Sequence, residues 1–375
     1  MPMLNLLQPD RRLRRPSLTA NRDIRRPSLQ NIQSKARGNS PVFVMGCHRS
    51  GTNLLYDMLL SSGGFAIYRG YLPFYKLLIP RFGSMDNREN RQKILETWLR
   101  SKGFRRTELD AEKLSADVLN NCRTGGDFIQ TVMNGVAQKQ GVSRWAVYDP
   151  DNVLHLERLK ADIPNALFVH IIRDGRDVAL SLKKMGGFTP LPWDRGKTPS
   201  LVATALYWEW MVRKGREHGH RVPANYIEIH YEDLITKPQE TLQKLGAFID
   251  HDLDYEKIRN AGLGRLSETN SSFREEGEKE EINPLGRWKE RLSPEEIAAI
   301  ESAVGPCLEE TGYALSHATG KRSAGLRSAW MRTMYPNLLN TKLWLKLNTP
   351  LGRMADMSVL ELEGEGVVAG QSTHL

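Results

Sequence analysis

The sequence is poor in cysteine and has no long apolar segment. Its 375 residues include three cysteines, Cys47, Cys122 and Cys307. These are too few and too widely spaced for a disulfide framework, and no pair has the spacing of zinc ligands. We therefore expect a reducing compartment, the cytoplasm. No run reaches the roughly 18 apolar residues of a membrane span, and no apolar run follows the Arg-rich start, so the sequence predicts neither a transmembrane helix nor a secretory signal.

Most of the net positive charge lies in the first 40 residues. The formal net charge is +9, and residues 1–40 contain nine Lys and Arg against two Asp, which is +7 and leaves +2 for the rest. A nearly neutral body argues against a broad nucleic-acid surface. Residues 1–40 contain the repeat RRPSL twice, and their low apolar content predicts a disordered basic arm. We interpret the arm as a solvated tail; the alternatives are docking on anionic lipid and phosphorylation of Ser17 and Ser28.

From residue 41 onward, apolar runs typical of strands alternate with segments of helical periodicity. The strand candidates are Pro41–Gly46, Trp145–Asp149, Ala166–Arg173 and Asn225–His230. Strands separated by helices predict a three-layer α/β/α fold with a central parallel sheet of the P-loop nucleotide-binding type. We assign residues 41–320 to this domain, with a helical insertion at 86–145, and residues 321–375 to a C-terminal extension with a helix around Leu338–Leu347. A capping box at Ser293–Glu296 predicts a further helix start.

The segment Gly46–Asn53 (GCHRSGTN) lies between the first strand and the first helix. Glycines let successive backbone N–H groups converge there, and the helix N-terminus adds positive potential, which suits a phosphate. The spacing matches the first half of a nucleoside-triphosphate loop, but Thr52 stands where that motif requires lysine. This argues against a P-loop kinase. Arg49 inside the loop instead suits an anion with one transferable group and no obligatory metal.

Two further motifs suit an anionic nucleotide. Arg173 ends the strongest strand candidate, at the sheet edge where open α/β folds bind ligands, and Ser181 follows two helical turns later. An arginine fork and a hydroxyl suit a second phosphate. In Gly286–Lys289 (GRWK) a cation stands on either side of a tryptophan, whose ring is available for stacking. Packing of that tryptophan against the core is the equal alternative.

Together and in this order, the three motifs resemble those of sulfotransferases that use 3′-phosphoadenosine 5′-phosphosulfate (PAPS), most closely the branch of tyrosylprotein and many bacterial sulfotransferases. The resemblance spans about residues 41–315. It implies PAPS as co-substrate and no metal requirement. The donor-binding residues that it implies are Cys47, His48, Arg49, Ser50, Gly51, Thr52, Asn53, Arg173, Ser181, Arg287, Trp288 and Lys289.

The resemblance fails at the general base. Relatives carry a glutamate shortly after the first helix, whereas Tyr68–Pro73 contains no carboxylate. The lysine of a Lys-Asp-Pro turn is Tyr148 here, although the following Asp and Pro remain. We expect Arg49 and the loop amides to bind the non-transferring oxygens and to stabilise the charge that grows on the leaving phosphate. The candidates for the base are Asp149, Asp151 and His155.

These features predict a sulfotransferase that moves a sulfuryl group from PAPS to a hydroxyl or amine and releases the bisphosphate PAP. The acceptor stays open among glycan, lipid, peptide and small molecule. The alternative is a protein that binds PAPS or PAP without efficient catalysis. The absence of the glutamate that serves as base in relatives is the reason to consider it. We expect no nucleic-acid partner and a cytoplasmic location, with membrane association through the arm as a further alternative.

Overall fold

The computed structural model describes residues 37–185, 188–191, 198–264, 284–316 and 326–362. The arm predicted at residues 1–40 lies outside the described residues except for its last four. Within the described ranges the strands are β1 (Val42–Gly46), β2 (Phe65–Ala66), β3 (Arg144–Tyr148), β4 (Leu167–Ile172) and β5 (Tyr226–His230).

The strands form one parallel sheet in the order β2-β3-β1-β4-β5. Its centre is β1, whose five residues are all buried, as expected for an apolar strand covered on both faces. The predicted α/β fold with a central parallel sheet is confirmed. The edge strand β2 was not predicted, because two residues are too short to show a periodicity.

Helices cover both faces of the sheet and form the insertion between β2 and β3. They are α1 (Thr52–Ser61), α2 (Ile79–Phe82), α3 (Arg88–Leu99), α4 (Lys102–Arg105), α5 (Ala111–Asn121), α6 (Gly125–Lys139), α7 (Leu156–Asp162), α8 (Gly175–Lys184), α9 (Leu201–Gly219), α10 (Tyr231–Thr236), α11 (Pro238–Ile249), α12 (Tyr255–Ala261), α13 (Trp288–Arg291), α14 (Pro294–Glu310) and α15 (Leu326–Asn348). A π-helical turn at Phe74–Leu78 precedes α2, and a 3₁₀ turn at Pro150–Leu154 follows β3.

The alternation of side chains along β1 divides the core into two layers. Phe43 and Met45 point to the side covered by α6, α8, α9 and α14. Val42 and Val44 point to the other side, which α1, α11 and α12 cover. Because both sides are covered by helices, the carboxyl ends of the strands are the open edge at which the motif loops emerge.

The described residues after 290 pack onto the same core. The predicted capping box at α14 is present: Ser293 Oγ accepts from the Glu296 N–H at 3.2 Å, and Glu296 Oε2 accepts from the Ser293 N–H at 3.1 Å. α15 packs against α9, α14 and α2 and begins at Leu326, well before the predicted Leu338. In the described ranges, no helix combines the length and apolarity needed to cross a bilayer.

Candidate functional site

The loop between β1 and α1 is held in an unusual backbone conformation. Arg49 has φ 70° and Gly51 has φ 99°, both in the left-handed region. A Cβ on Gly51 would lie 2.4 Å from the Tyr231 ring, so only glycine lets the loop approach this close. Thr52 and Asn53 then begin α1. The loop therefore turns its backbone at the N-terminus of a helix, the arrangement that binds anions.

The two predicted anion-binding corners lie next to each other because β1 and β4 are neighbouring strands. Arg49 Nε donates to Ser181 Oγ at 2.8 Å. Arg173 donates through one terminal nitrogen to the Arg49 carbonyl at 3.2 Å, and its guanidinium lies 4.4 Å from the centre of the Tyr231 ring. The loop and the β4–α8 corner thus form one continuous surface of donors.

Two buried donors on this surface have no partner within the described parts of the chain. They are the Ser50 hydroxyl and Arg173 Nε. A buried donor without an acceptor costs about 1–3 kcal/mol, so native structures rarely leave one unsatisfied. An anion with several oxygen atoms would satisfy both. The residues present therefore fit a phosphate or sulfate ester.

The Gly286–Lys289 segment is fastened to α8 by a buried carboxylate. Asp177 accepts from the Gly286 N–H at 2.9 Å and from the Trp288 N–H at 3.0 Å. The Trp288 ring is buried, with the Arg176 guanidinium 3.8 Å from its centre. Of the two alternatives given for Trp288, stacking on a ligand and packing against the core, the structure shows packing. Lys289 is exposed.

Arg287 brings further positive charge to the donor surface. Burial lowers the pKa of Arg287, and the charge of Arg173 lowers it further. Two guanidinium groups held this close repel each other, and a bound anion relieves that repulsion. Together with Arg49, they place three guanidinium groups at this edge of the sheet, and Asp177, 3.5 Å from Arg173, offsets part of their charge.

A second cluster lies on the other side of the loop. His48 Nε2 lies 3.2 Å from Asp151 Oδ1, and Lys76 Nζ lies 2.5 Å from Asp151 Oδ2. Burial alone would raise the pKa of Asp151, but Lys76 and His48 outweigh burial and hold that pKa well below its ordinary value. Burial lowers the pKa of Lys76, and Asp151 reverses the effect and raises it. Both groups are therefore charged at neutral pH.

Lys76 is the site residue that the motif analysis missed. It belongs to the π-helical turn Phe74–Leu78, in which the Leu78 N–H reaches the Pro73 carbonyl. Pro80 has no N–H to close an α-helical bond to the Lys76 carbonyl, so the helix does not run regularly through this turn. Tyr148, at the position where the resemblance implied a lysine, packs on Tyr56 with ring centroids 4.8 Å apart. Pro80 is the local sequence feature that indicates this irregular turn.

The predicted bases Asp149 and His155 have buried environments. Burial raises the pKa of Asp149, and its carboxylate accepts from the Asp151 N–H at 3.0 Å, which caps the 3₁₀ turn. Burial lowers the pKa of His155 to about 3, and its ring stacks on Tyr75. His155 is therefore neutral and only weakly basic. Cys47 is buried, and burial, then Asp151, raises the pKa of its thiol, so it is not a nucleophile.

A cleft adjoins the His48–Asp151–Lys76 cluster. It encloses about 590 Å³, its open mouth included. Asp151, His155 and Lys76 form one wall, and the side chains of α9 and α15 form the other. Phe188, Tyr207, Trp210, Leu339 and Leu343 make most of the remaining lining apolar. The cleft can therefore receive an apolar or aromatic group next to the loop.

The sequence of this domain matches that of known proteins. The model of the sulfotransferase family matches residues 41–255. The chain belongs to the sulfotransferase family. This sulfotransferase is 24% identical over 294 residues to protein-tyrosine sulfotransferase A of Caenorhabditis elegans, a match that covers 76% of this chain and 70% of the relative. The family membership predicted from the three motifs is confirmed.

Two other similarities are more limited. A second C. elegans protein, a candidate protein-tyrosine sulfotransferase by name, is 27% identical over 169 residues, which are 44% of this sulfotransferase and 63% of the relative. The match thus spans less than two thirds of that relative. Among solved structures, the sulfotransferase domain of the Synechococcus PCC 7002 olefin synthase has a TM-score of 0.47 and 18% identity, covering 74% of this chain and 96% of that domain. The roles of single residues in donor binding stay predictions.

Proposed function

We propose that this sulfotransferase transfers the sulfuryl group of PAPS to an acceptor hydroxyl and releases PAP. The observation that carries the proposal is the contact between the two predicted anion-binding corners, with Arg49 Nε 2.8 Å from Ser181 Oγ. One nucleotide with phosphate groups at both ends can reach both corners. The unpartnered donors on Ser50 and Arg173 give it oxygen-binding groups.

The donor-site residues divide into two groups on this proposal. The loop amides and Arg49 bind the phosphosulfate end, where they offset charge that grows on the leaving phosphate. Arg173 and Ser181 bind the 3′-phosphate, and Arg287 closes the site from the α13 side. PAPS supplies the activated sulfuryl group. The protein supplies positioning and charge, by analogy with phosphoryl transfer.

The acceptor must also lose a proton, and we assign that step to His48. Its Nε2 lies 3.2 Å from Asp151, which orients and stabilises the ring as the proton arrives. Lys76 in turn keeps Asp151 ionised. Asp149 caps a turn and His155 is held neutral, so both are weaker candidates.

The acceptor hydroxyl enters through the cleft beside this cluster. The apolar and aromatic lining suits a hydroxyl carried by a ring or an acyl body. The curated relatives are named for protein tyrosine, so a tyrosine phenol is the first single acceptor to test.

Transfer is tested with isotopically labelled PAPS, a host extract and mass spectrometry of the products. The wild-type chain should label at least one hydroxyl compound, and Arg49→Ala should abolish the label. Binding of PAP without labelled product from any extract would support the non-catalytic alternative and contradict the proposal.

A further inference from the structure

The outer side of the C-terminal segment is apolar although it faces solvent. Across the described residues, six of the seven exposed large apolar side chains lie between positions 330 and 354. They are Trp330, Met334, Trp344, Leu347, Leu351 and Met354. Single exposed apolar residues are common on any surface, but a cluster of this kind marks an interaction surface.

Helical spacing brings three of these six side chains, Trp330, Met334 and Trp344, into one strip along α15. Steps of four and three residues connect the members of the strip, which are Trp330, Met334, Asn337, Thr341 and Trp344. All are exposed and none is charged. Tyr335 and Leu339 on the opposite side are buried against the protein. The helix thus presents apolar side chains to solvent as well as to the core, with the polar Asn337 and Thr341 between them in the strip.

The charges of this segment have one sign. Residues 326–354 contain five Lys and Arg and no Asp or Glu. The two tryptophans of the strip are each 58% exposed, and tryptophan is the side chain enriched where apolar lipid meets water. Cations together with an apolar strip are the features of a helix that lies in an anionic lipid interface.

The strip borders the cleft of the proposed acceptor site. Leu347 lines the cleft and is also 39% exposed, so the mouth opens at the apolar surface. Lys342 and Lys346 project from α15 into the cleft, opposite Lys76. Within the described residues Lys346 Nζ has no hydrogen-bond or ion-pair partner, and burial, then the charge of Lys76, lowers its pKa. Lys76 is paired with Asp151, whereas Lys346 has no contacting counter-ion in the described residues, so an anionic ligand in the cleft would supply one.

We propose that α15 docks this protein on an anionic membrane surface, with the tryptophan strip in the lipid and the lysine-lined cleft open to the headgroups. The identity of the acceptor rests on the proposed function. The acceptor is then an amphiphile whose anionic head carries the hydroxyl and enters the cleft from the membrane surface.

The test measures vesicle binding of the full chain without PAPS, so that failure of transfer and failure of docking are distinguishable. Vesicles of phosphatidylcholine with and without phosphatidylglycerol are sedimented with the protein. Trp330→Ser/Trp344→Ser should lower binding to the anionic vesicles at least about tenfold, because two interfacial side chains are lost. It should also reduce the quenching of tryptophan fluorescence by brominated lipid.

Two controls make the result specific. Ile67→Ser removes the one exposed large apolar side chain in the described part of the chain that lies outside the cluster, and it should leave binding unchanged. Lys342→Gln/Lys346→Gln should weaken binding to anionic vesicles several-fold and leave binding to neutral vesicles unchanged. Residues 1–40 are identical in all variants, so their charge does not affect the comparison.

Three outcomes would overturn the proposal. The first is absence of vesicle binding by the wild-type chain. The second is wild-type binding by a tryptophan double variant whose thermal unfolding shows that it is folded. The third is a wild-type dimer, seen by light scattering, that the double variant converts to a monomer while vesicle binding persists, because the strip would then bind a second copy.

Discussion

At the residue scale, the proposed proton transfer depends on side chains that lie far apart in the sequence. His48 follows β1, Lys76 comes from a π-helical turn and Asp151 follows β3. The sequence motifs indicated the loop and the two aspartates. They gave no indication that Lys76 would contact Asp151, because only the packing of the segment between β2 and β3 brings it there.

His48→Gln tests the assignment of the base. The variant should lower kcat by about 10²- to 10⁴-fold, the usual contribution of a positioned base. PAP affinity should change little. Asp149→Asn is the matched control, because it removes a carboxylate next to the same cluster. If Asp149→Asn lost most of its kcat while His48→Gln stayed near wild type, the general base would be Asp149 and not His48.

His155 predicts a dependence of stability on pH. Its pKa is about 3 in the folded protein, against about 6.5 in an unfolded chain. Between these values the unfolded chain binds a proton that the folded protein does not. Stability should therefore fall as the pH decreases from about 6.5 toward 3, by an amount on the order of several kcal/mol.

The measurement is urea unfolding of the wild type and of His155→Gln at neutral and at mildly acidic pH. The variant should lose less stability on acidification than the wild type. Some dependence should remain, because burial also lowers the pKa of His170, to about 4. Equal acid sensitivity of the two proteins would show that His155 is not held neutral by the fold.

At the scale of elements, the β1–α1 loop is predictable from its glycines and its place between a strand and a helix. What the sequence could not provide is the neighbour that makes Gly51 obligatory, since Tyr231 lies 180 residues later and reaches the loop only because β5 pairs with β4. The π-helical turn and the early start of α15 were missed for a related reason. Pro80 indicates an irregular helix without specifying its type. Polar and apolar residues alternate around α15 without one clear polar face, so its helical period is weak in the sequence.

Gly51→Ala should destabilise the protein and the donor site together. Its φ is 99°, and the new Cβ would lie 2.4 Å from the Tyr231 ring. We expect a loss of more than ~2 kcal/mol in the free energy of unfolding, and weaker PAP binding. Gly63→Ala is the matched control, with φ 81° and nothing within 4 Å, and it should cost ~1–2 kcal/mol from backbone strain alone. If urea unfolding shows the same loss of unfolding free energy for both variants, the loop accommodates the new Cβ without a clash with Tyr231.

At the scale of the whole molecule, the order of the strands brings motifs that are far apart in the sequence together in one site. Parallel strands with covering helices were predictable from the apolar runs, and so was the edge at which the loops meet. The adjacency of β1 and β4, which brings Arg49 to Ser181, follows from crossover connections that the periodicity does not specify. The cleft was equally hidden, because its second wall comes from α15, which had no predicted contact with the domain.

The central claim is that a single nucleotide occupies both corners, and calorimetric titration with PAP and with AMP tests it directly. Ser181→Ala and Arg173→Ala should weaken PAP at least about tenfold, the order expected for charge-assisted hydrogen bonds, and leave AMP nearly unaffected because AMP has no 3′-phosphate. Arg49→Ala should weaken both ligands. Arg259→Ala, an exposed arginine on α12, is the control. PAP affinity that is unchanged in the Arg49 and Arg173 variants would contradict the account.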